Sequence, residues 1–197
     1  MRPVFSALVL AAGDSARMGT SKALLRIAEK PAWLRLVEHC LAVGGEEVLV
    51  LVAPGSGLEA PPERAVRIIE VPPAMRSLGP IGSLVHGVNC LAPNRARLVC
   101  PVDHPFVRRQ TLETLIENVE RIRIPCHLGR GGHPVLLPLD VDSELRKLAS
   151  SNGTLRDLIR SRAPLLDRVE VSDPAVLWNC NSKELFERYI RQFEQMA

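Results

Sequence analysis

The sequence predicts an α/β fold: a single domain over residues 1–197, built as a three-layer, mostly parallel twisted sheet with helices on both faces. Three observations predict it. Apolar runs of strand length alternate with segments of helical periodicity, the pattern of successive βαβ units. The runs "ALVLAA" and "EEVLVLVA" are apolar at nearly every position, as buried strands of a parallel sheet are. No internal repeat, low-complexity tract or linker divides the 197 residues, and that length suits one domain with a sizeable core.

The elements follow in order. "ALVLAA" (7–12) reads as the first strand. "PAWLRLVEHCLAVGG" reads as a helix, with Pro31 at its start, Gly44 and Gly45 at its end, and Leu34, Val37 and Leu41 on one face. "EEVLVLVA" (46–53) is the second strand, "PGSGLEAPPERA" (54–65) a loop, "VRIIEV" (66–71) the third strand and "PPAMRSLGP" another loop. "IGSLVHGVNCLA" reads as a helix and "ARLVCPV" (96–102) as the fourth strand. "TLETLIENVERI" has Leu112, Leu115, Ile116, Val119 and Ile122 at helical spacing, which predicts a helix over 111–122. "RIPCHLGRGGHPVLLP" gives two strand-like pieces around Gly129–Gly132. Two short helices near 142–149 and 154–161, a strand "DRVEVS" and a final helix opened by Ser182 complete the chain.

Composition narrows the function. The 25 basic residues are scattered among 22 acidic ones with no basic block, and aromatics make up 4%, so nothing favours a nucleic-acid partner. A formal net charge of +3 suits a small anionic substrate. Cys40, Cys90, Cys100, Cys126 and Cys180 stand singly, which reads as reduced, buried filler. The first apolar run is short and passes into a charged turn, unlike a signal peptide, and no window approaches the roughly 20 apolar residues of a membrane span. A cytoplasmic location without membrane contact is the expectation.

The stretch "LVLAAGDSARMGTSKALL" (8–25) carries the first chemistry. In an open parallel sheet, ligands bind beyond the carboxyl ends of the strands. Gly13 stands where the first strand ends, and a turn of Ala, Gly and Ser leaves backbone N–H groups uncovered for phosphate oxygens. Arg17 can fork onto two phosphate oxygens and Lys22 adds a mobile point charge. The spacing fits neither GxGxxG nor GxxxxGK[ST], so the two common nucleotide loops are excluded. The plain alternative is a strand–loop connection with surface cations.

This stretch resembles the signature LAAGxSxRMGxxKxLL of nucleotidyltransferases that use a nucleoside triphosphate to cap a phosphorylated acceptor, the molybdenum cofactor cytidylyltransferases and molybdopterin-guanine dinucleotide synthases. Leu10, Ala11, Ala12, Gly13, Ser15, Arg17, Met18, Gly19 and Lys22 match. The resemblance implies a Rossmann-like nucleotidyltransferase fold and a loop that binds the triphosphate, with Arg17 and Lys22 neutralising the leaving pyrophosphate.

Further segments extend the resemblance. In "VCPVDHPFV", Asp103 follows an apolar strand, where a carboxylate can hold Mg²⁺ together with substrate phosphates. "VDHP" is similar to the family's "DQP" segment, which implies that Asp103 is a metal ligand; His104 takes the variable position and reads as a loop residue. "GPIGSLVHGV" resembles the family's "GxxxSLxxG" helix start, so Gly79, Gly82 and Ser83 are expected to face base and ribose. His86 and His39 read as packing. "GRGGHPVLLP" is similar to a segment typical of the cytidylyltransferase branch, which implies that Gly132, His133 and Pro134 face the acceptor. "SSNGTLRDLI" resembles the "GaRxLL" element but places Thr154 and Leu155 between Gly153 and Arg156. "LWNCNSKELF" resembles the C-terminal "NxNTPEEL" segment, with Asn179 and Asn181 at the paired positions; Asn181 inherits a metal-coordinating role, while Ser182 and Lys183 replace Thr-Pro.

The reaction so implied is attack by an acceptor phosphate oxygen on the α-phosphorus, with Mg²⁺ as cofactor and pyrophosphate leaving. Such chemistry relies on positioning and charge neutralisation more than on a protein nucleophile. Ala12 and the Gly-His-Pro segment favour CMP transfer from CTP to an acceptor such as the molybdopterin cofactor, and the resemblance brings a molybdoenzyme or its chaperone as a partner. GTP as donor, or a sugar phosphate or other small phosphate monoester as acceptor, is the same-class alternative. A nucleotide-binding protein without turnover is the second, motivated by the altered C-terminal segment.

Overall fold

The structure is a computed structural model that describes residues 4–13 and 21–196. The chain runs β1 (Phe5–Ala11), β2 (Arg26–Ile27), β3 (Lys30–Pro31), α1 (Ala32–Ala42), β4 (Glu47–Val52), β5 (Val66–Glu70), α2 (Pro73–Arg76), α3 (Pro80–Cys90) and β6 (Ala96–Pro101). It continues with α4 (Arg109–Leu115), β7 (Ile122–His127), β8 (Arg130–Gly131), β9 (Val135–Leu137), α5 (Asp142–Ser150), α6 (Leu155–Ser161), β10 (Leu166–Glu170) and α7 (Lys183–Gln195). Among the described residues the main sheet has eight strands in the order β10-β7-β9-β6-β1-β4-β5, with β8 on β7. β9 is antiparallel to β6 and β7, and β8 to β7; the other pairings are parallel. β2 and β3 form a separate antiparallel ribbon.

The period-2 geometry of the strands explains why the runs are apolar throughout. Phe5, Ala7 and Val9 of β1 point to one face, where α1 and α4 supply Trp33, Leu36, Val37, Leu112 and Leu115. Leu8 points to the other, where α3, α5 and α6 supply Leu84, Val85, Val88, Leu145 and Leu158. The three expected layers, and the mostly parallel sheet between them, are what the structure shows. A third apolar cluster sits under α7, where Phe106 and Trp178 pack against Phe186, Tyr189 and Phe193. It ties the segments after β6 and before α7 together.

Two elements differ from expectation. The helix predicted over 111–122 ends at Leu115, and Ile122 begins β7 instead. Arg123 explains the early stop, because its guanidinium donates to the carbonyls of Thr114 (2.6 Å) and Leu115 (3.1 Å), which a longer helix would have used itself. Asn118 then accepts the Glu120 N–H at 3.1 Å, a side-chain turn that competes with helix. The segment expected as loop after β5 contains α2, entered through Pro72 and Pro73, which suit a helix start. Elsewhere caps match the sequence: the Ser182 side chain accepts the Leu185 N–H at 3.3 Å, and Thr154 with Asp157 forms a capping box at α6.

The five cysteines are free thiols; four are buried and Cys90 is half-buried, in keeping with filler. Among the described residues no helix is long and apolar enough to cross a membrane.

Candidate active site

Strand order locates the site. β4 and β5 follow β1 to one side of the sheet, and β6 returns to its other side. The carboxyl ends of β1 and β6 therefore flank a topological switch point, where open α/β sheets form a ligand crevice. The two ends are in register: Leu10 pairs with Pro101, and the Val102 N–H donates to the Leu10 carbonyl at 3.1 Å. Ala11, buried Ala12 and exposed Gly13 leave one strand here, while half-buried Asp103 leaves the other. Among the described residues no hydrogen bond or ion pair engages the Asp103 carboxylate.

The C-terminal segment closes the crevice from the side. The Cys180 N–H donates to the Asp103 carbonyl at 2.7 Å, fixing Asn179–Asn181 beside β6. Lys22, on a one-turn helix over Lys22–Leu24, donates its ammonium to the Asn181 Oδ1. Asp103 and Lys22 act with opposite sign on the same neighbours. Burial and the Asp103 charge push the Cys180 thiol up to about 12, with Lys22 opposing, so this cysteine is inert as a nucleophile. Ser15, Arg17, Met18 and Gly19, which the sequence places on the same loop, lie outside the described residues.

His133 and Pro134 arrive at the crevice from the β8–β9 connection. The His133 N–H donates to the Val176 carbonyl at 3.0 Å and the Gly132 N–H to the Pro125 carbonyl at 2.8 Å. Gly132 passes so close to Val176 that an added Cβ would lie 2.6 Å from its carbonyl carbon. The His133 ring packs against His104, with centroids 4.7 Å apart and planes at 50°. His104 is 5% exposed, and burial together with its histidine neighbour pulls it down to about 4, against the raising effect of Asp103. Burial also lowers His133. Both rings are neutral at neutral pH, and the Nδ1 atom of each is buried without a partner.

Gly79, Gly82 and Ser83 lie at the start of α3. The N–H groups of Gly82 and Ser83 both donate to the Gly79 carbonyl, at 3.2 and 3.4 Å, so they are spent on the start of α3. A Cβ on Gly82 would come within 2.9 Å of Leu78 Cβ and the Met75 carbonyl carbon, which makes it a packing glycine between α2 and α3. Gly79, with φ of +74° and open space around it, keeps a backbone shape that glycine favours at the entry to α3. Ser83 is buried. His104, expected as a loop residue, does lie in the turn after β6 but is buried there. Arg76 of α2 went unnoticed in the sequence; it donates from Nε to the Ala12 carbonyl at 3.0 Å, bracing the end of β1. No local pattern marks Arg76; only the sheet brings residues 12 and 76 together.

The donor set bears on a metal ion. Among the described residues no group of three or more His, Cys, Asp or Glu side chains forms a ready-made cage. Asp103 alone fits a hard cation that is completed by substrate phosphates and water, which is the usual protein site for Mg²⁺. The Asn181 amide oxygen is a chemically suitable second ligand, but here it is engaged by Lys22.

Comparison with known proteins gives these features a context. Residues 7–168 match the family model described as a MobA-like NTP transferase domain. A molybdenum cofactor guanylyltransferase of Xanthomonas euvesicatoria is 29% identical over 197 residues, covering 95% of each chain. A probable molybdenum cofactor guanylyltransferase of Mycobacterium tuberculosis is 35% identical over 113 residues, 55% of this chain and 53% of that one. The chain thus spans about half the length of the mycobacterial relatives it matches. Among solved structures, Rv0371c of Mycobacterium tuberculosis superimposes with a TM-score of 0.79 at 21% identity, over 95% of this chain and 98% of that one. The same protein has been solved in complex with manganese, with a TM-score of 0.75 at 19% identity over 95% and 98%.

Proposed function

This chain belongs to the MobA-like NTP transferase family, and from that premise we propose that it transfers a nucleoside monophosphate from a triphosphate to a phosphorylated small molecule, releasing pyrophosphate. The observation that carries the reading is the convergence of Lys22 and an uncommitted Asp103 at the β1–β6 switch point. An acceptor phosphate oxygen would attack the α-phosphorus in line, forming one P–O bond as the bond to the pyrophosphate oxygen breaks. Lys22, freed from Asn181, and Arg17 would neutralise the departing charge. The backbone around Ala11, Ala12 and Gly13 would lie along the donor, with Gly79 at the entry to α3 and the Ser83 hydroxyl on the base and ribose side. Asp103, with Asn181, would hold a divalent ion, Mg²⁺ in this proposal, that neutralises and orients the phosphates.

Gly132, His133 and Pro134 would meet the acceptor. Two neutral imidazoles beside Asp103 suit that role, because they can exchange hydrogen bonds with a phosphate or a pterin without adding charge. Ala12 and the Gly-His-Pro segment support CTP as donor and the molybdopterin cofactor as acceptor, with a molybdoenzyme or its chaperone receiving the product. GTP is the second reading, favoured by relatives that are named guanylyltransferases. The test is pyrophosphate release with Mg²⁺, each of the four triphosphates and a panel of phosphate monoesters that includes molybdopterin. Turnover with CTP is expected. Turnover with GTP alone overturns the CTP assignment, and tight triphosphate binding without turnover on any acceptor overturns transfer itself.

A further inference from the structure

On the α1–α4 side of the sheet, a cleft of about 530 Å³ opens between α1, α4 and α7. Its volume lies within the range of small-molecule pockets, roughly 300–1,000 Å³. Three guanidinium groups line it, Arg35, Arg108 and Arg109, together with Glu38, His39 and Phe193. The single carboxylate in that set is already engaged, because Lys30 holds both Glu38 oxygens at 2.7 Å. Among the described residues Arg109 has only an exposed pairing with Glu113 at 3.1 Å. Among the described residues no carboxylate pairs with Arg108, whose backbone N–H is fixed by Asp173 at 2.8 Å. His39 brings no compensating negative charge and is itself neutral: burial and the nearby arginines pull it down to about 4.

The excess of positive charge is set against an apolar wall. Arg35 lies over the Phe193 ring at 5.0 Å from its centroid and donates from Nε to the Pro105 carbonyl at 3.2 Å. That leaves the two terminal nitrogens of Arg35 for a ligand while its stem is pinned. Guanidinium forks suit phosphate oxygens, and a ring face suits an organic body.

We propose that this cleft is a second ligand site, separate from the β1–β6 crevice, which binds a small phosphate monoester through Arg35, Arg108 and Arg109 with its organic body against Phe193. The site does not depend on the function proposed above. It does touch the same loop, because Arg35 holds the carbonyl of Pro105, two residues from Asp103. Occupancy of the cleft therefore fixes the residue that braces the metal-side turn from behind.

The experiment is a ¹⁵N NMR titration of the full chain with inorganic phosphate and, separately, phenyl phosphate. Amides around Arg35–His39 and Val107–Gln110 are expected to shift and saturate, with phenyl phosphate binding at least about tenfold more tightly than phosphate, a difference of about 1.4 kcal/mol. Arg108→Glu with Arg109→Glu should abolish these shifts. Arg108→Gln alone should weaken them while keeping the backbone N–H that Asp173 needs. Lys22→Ala should leave them intact. Shifts that are absent, that survive the double reversal, or that show no preference for phenyl phosphate (an adventitious ion only) overturn the proposal. Triphosphate titrated into the same sample reports separately on Ala12, Lys22 and Asp103, so failure of the proposed transferase site is distinguishable from failure of this one.

Discussion

Gly132→Ala tests whether the acceptor side is held by backbone contact. The added Cβ would lie 2.6 Å from the Val176 carbonyl carbon and 3.0 Å from its Cβ, and closer still to its oxygen. Ordinary carbon contacts sit at roughly 3.5–4.0 Å, so the two strands of chain must part by about 1 Å. They are stitched by the His133 N–H to Val176 carbonyl bond at 3.0 Å, while the Gly132 N–H to Pro125 carbonyl bond at 2.8 Å ties Gly132 to β7. Parting by that distance breaks the first bond, at about 0.5–1.5 kcal/mol, and overpacking adds about 1–3 kcal/mol. A total of roughly 1.5–4.5 kcal/mol lowers the Tm by about 3–18 °C for a domain of this size. The neighbouring Gly131 is the control, because its Cβ would meet nothing nearer than the end of the Arg168 side chain at 3.3 Å and Ile124 Cγ2 at 3.4 Å. Thermal unfolding of both variants, with the acceptor KM beside the triphosphate Kd, checks the reasoning. Gly132→Ala is expected to melt early and to raise the acceptor KM while donor binding holds. A Gly132→Ala protein that melts with Gly131→Ala and wild type refutes the backbone-contact account.

Asp103→Asn is expected to cut turnover by about 10²–10³-fold with an unchanged Tm, because the carboxylate makes no internal bond to lose; near-normal pyrophosphate release would remove it from the metal site. Asp173→Ala should destabilise by about 3 kcal/mol or more in urea unfolding, since this 3% exposed carboxylate accepts from Arg108 N–H and Thr111 Oγ1, both at 2.8 Å, and from Ala175 N–H at 3.1 Å. His39 predicts a pH effect. Its folded value of about 4 lies below the unfolded 6.5, so the unfolded chain binds more protons between those values. Stability from this group is fully present above about pH 6.5 and is lost as the pH falls toward 4; His39→Gln should flatten that part of the curve in chemical denaturation between pH 7 and 4.

The layers were legible because β1, β4 and β6 are covered on both faces, which writes unbroken apolar runs into the chain. The length of α4 was not. Its periodicity continues past Leu115, and the arginine that takes its last carbonyls comes from the following strand. The site divides the same way. Asp103 and Lys22 could be proposed from sequence because strand ends and cations leave local marks. The packing of Met75 and Leu78 against Gly82 was not legible, because a glycine reads alike whether backbone or ligand approaches it. The arginine cleft is invisible in the sequence, since α1, α4 and α7 contribute to it from segments far apart in the chain.

Asparagine at position 181 has a consequence of its own. A carboxylate there would attract a divalent ion more strongly than an amide oxygen does, and it would also hold Lys22 as an ion pair. Both effects would pull on the same step of the proposed reaction, in which Lys22 leaves position 181 to serve the triphosphate. With an amide, the hydrogen bond between Lys22 and Asn181 carries one formal charge instead of two, so in the proposed reaction the lysine would be released at lower cost, while Asp103 and the triphosphate would carry the metal's charge. Asn181→Asp separates the two effects. The metal Kd should tighten and the triphosphate Kd measured without metal should weaken, both read by calorimetry. If both tighten together, Lys22 is not the group that exchanges Asn181 for the donor.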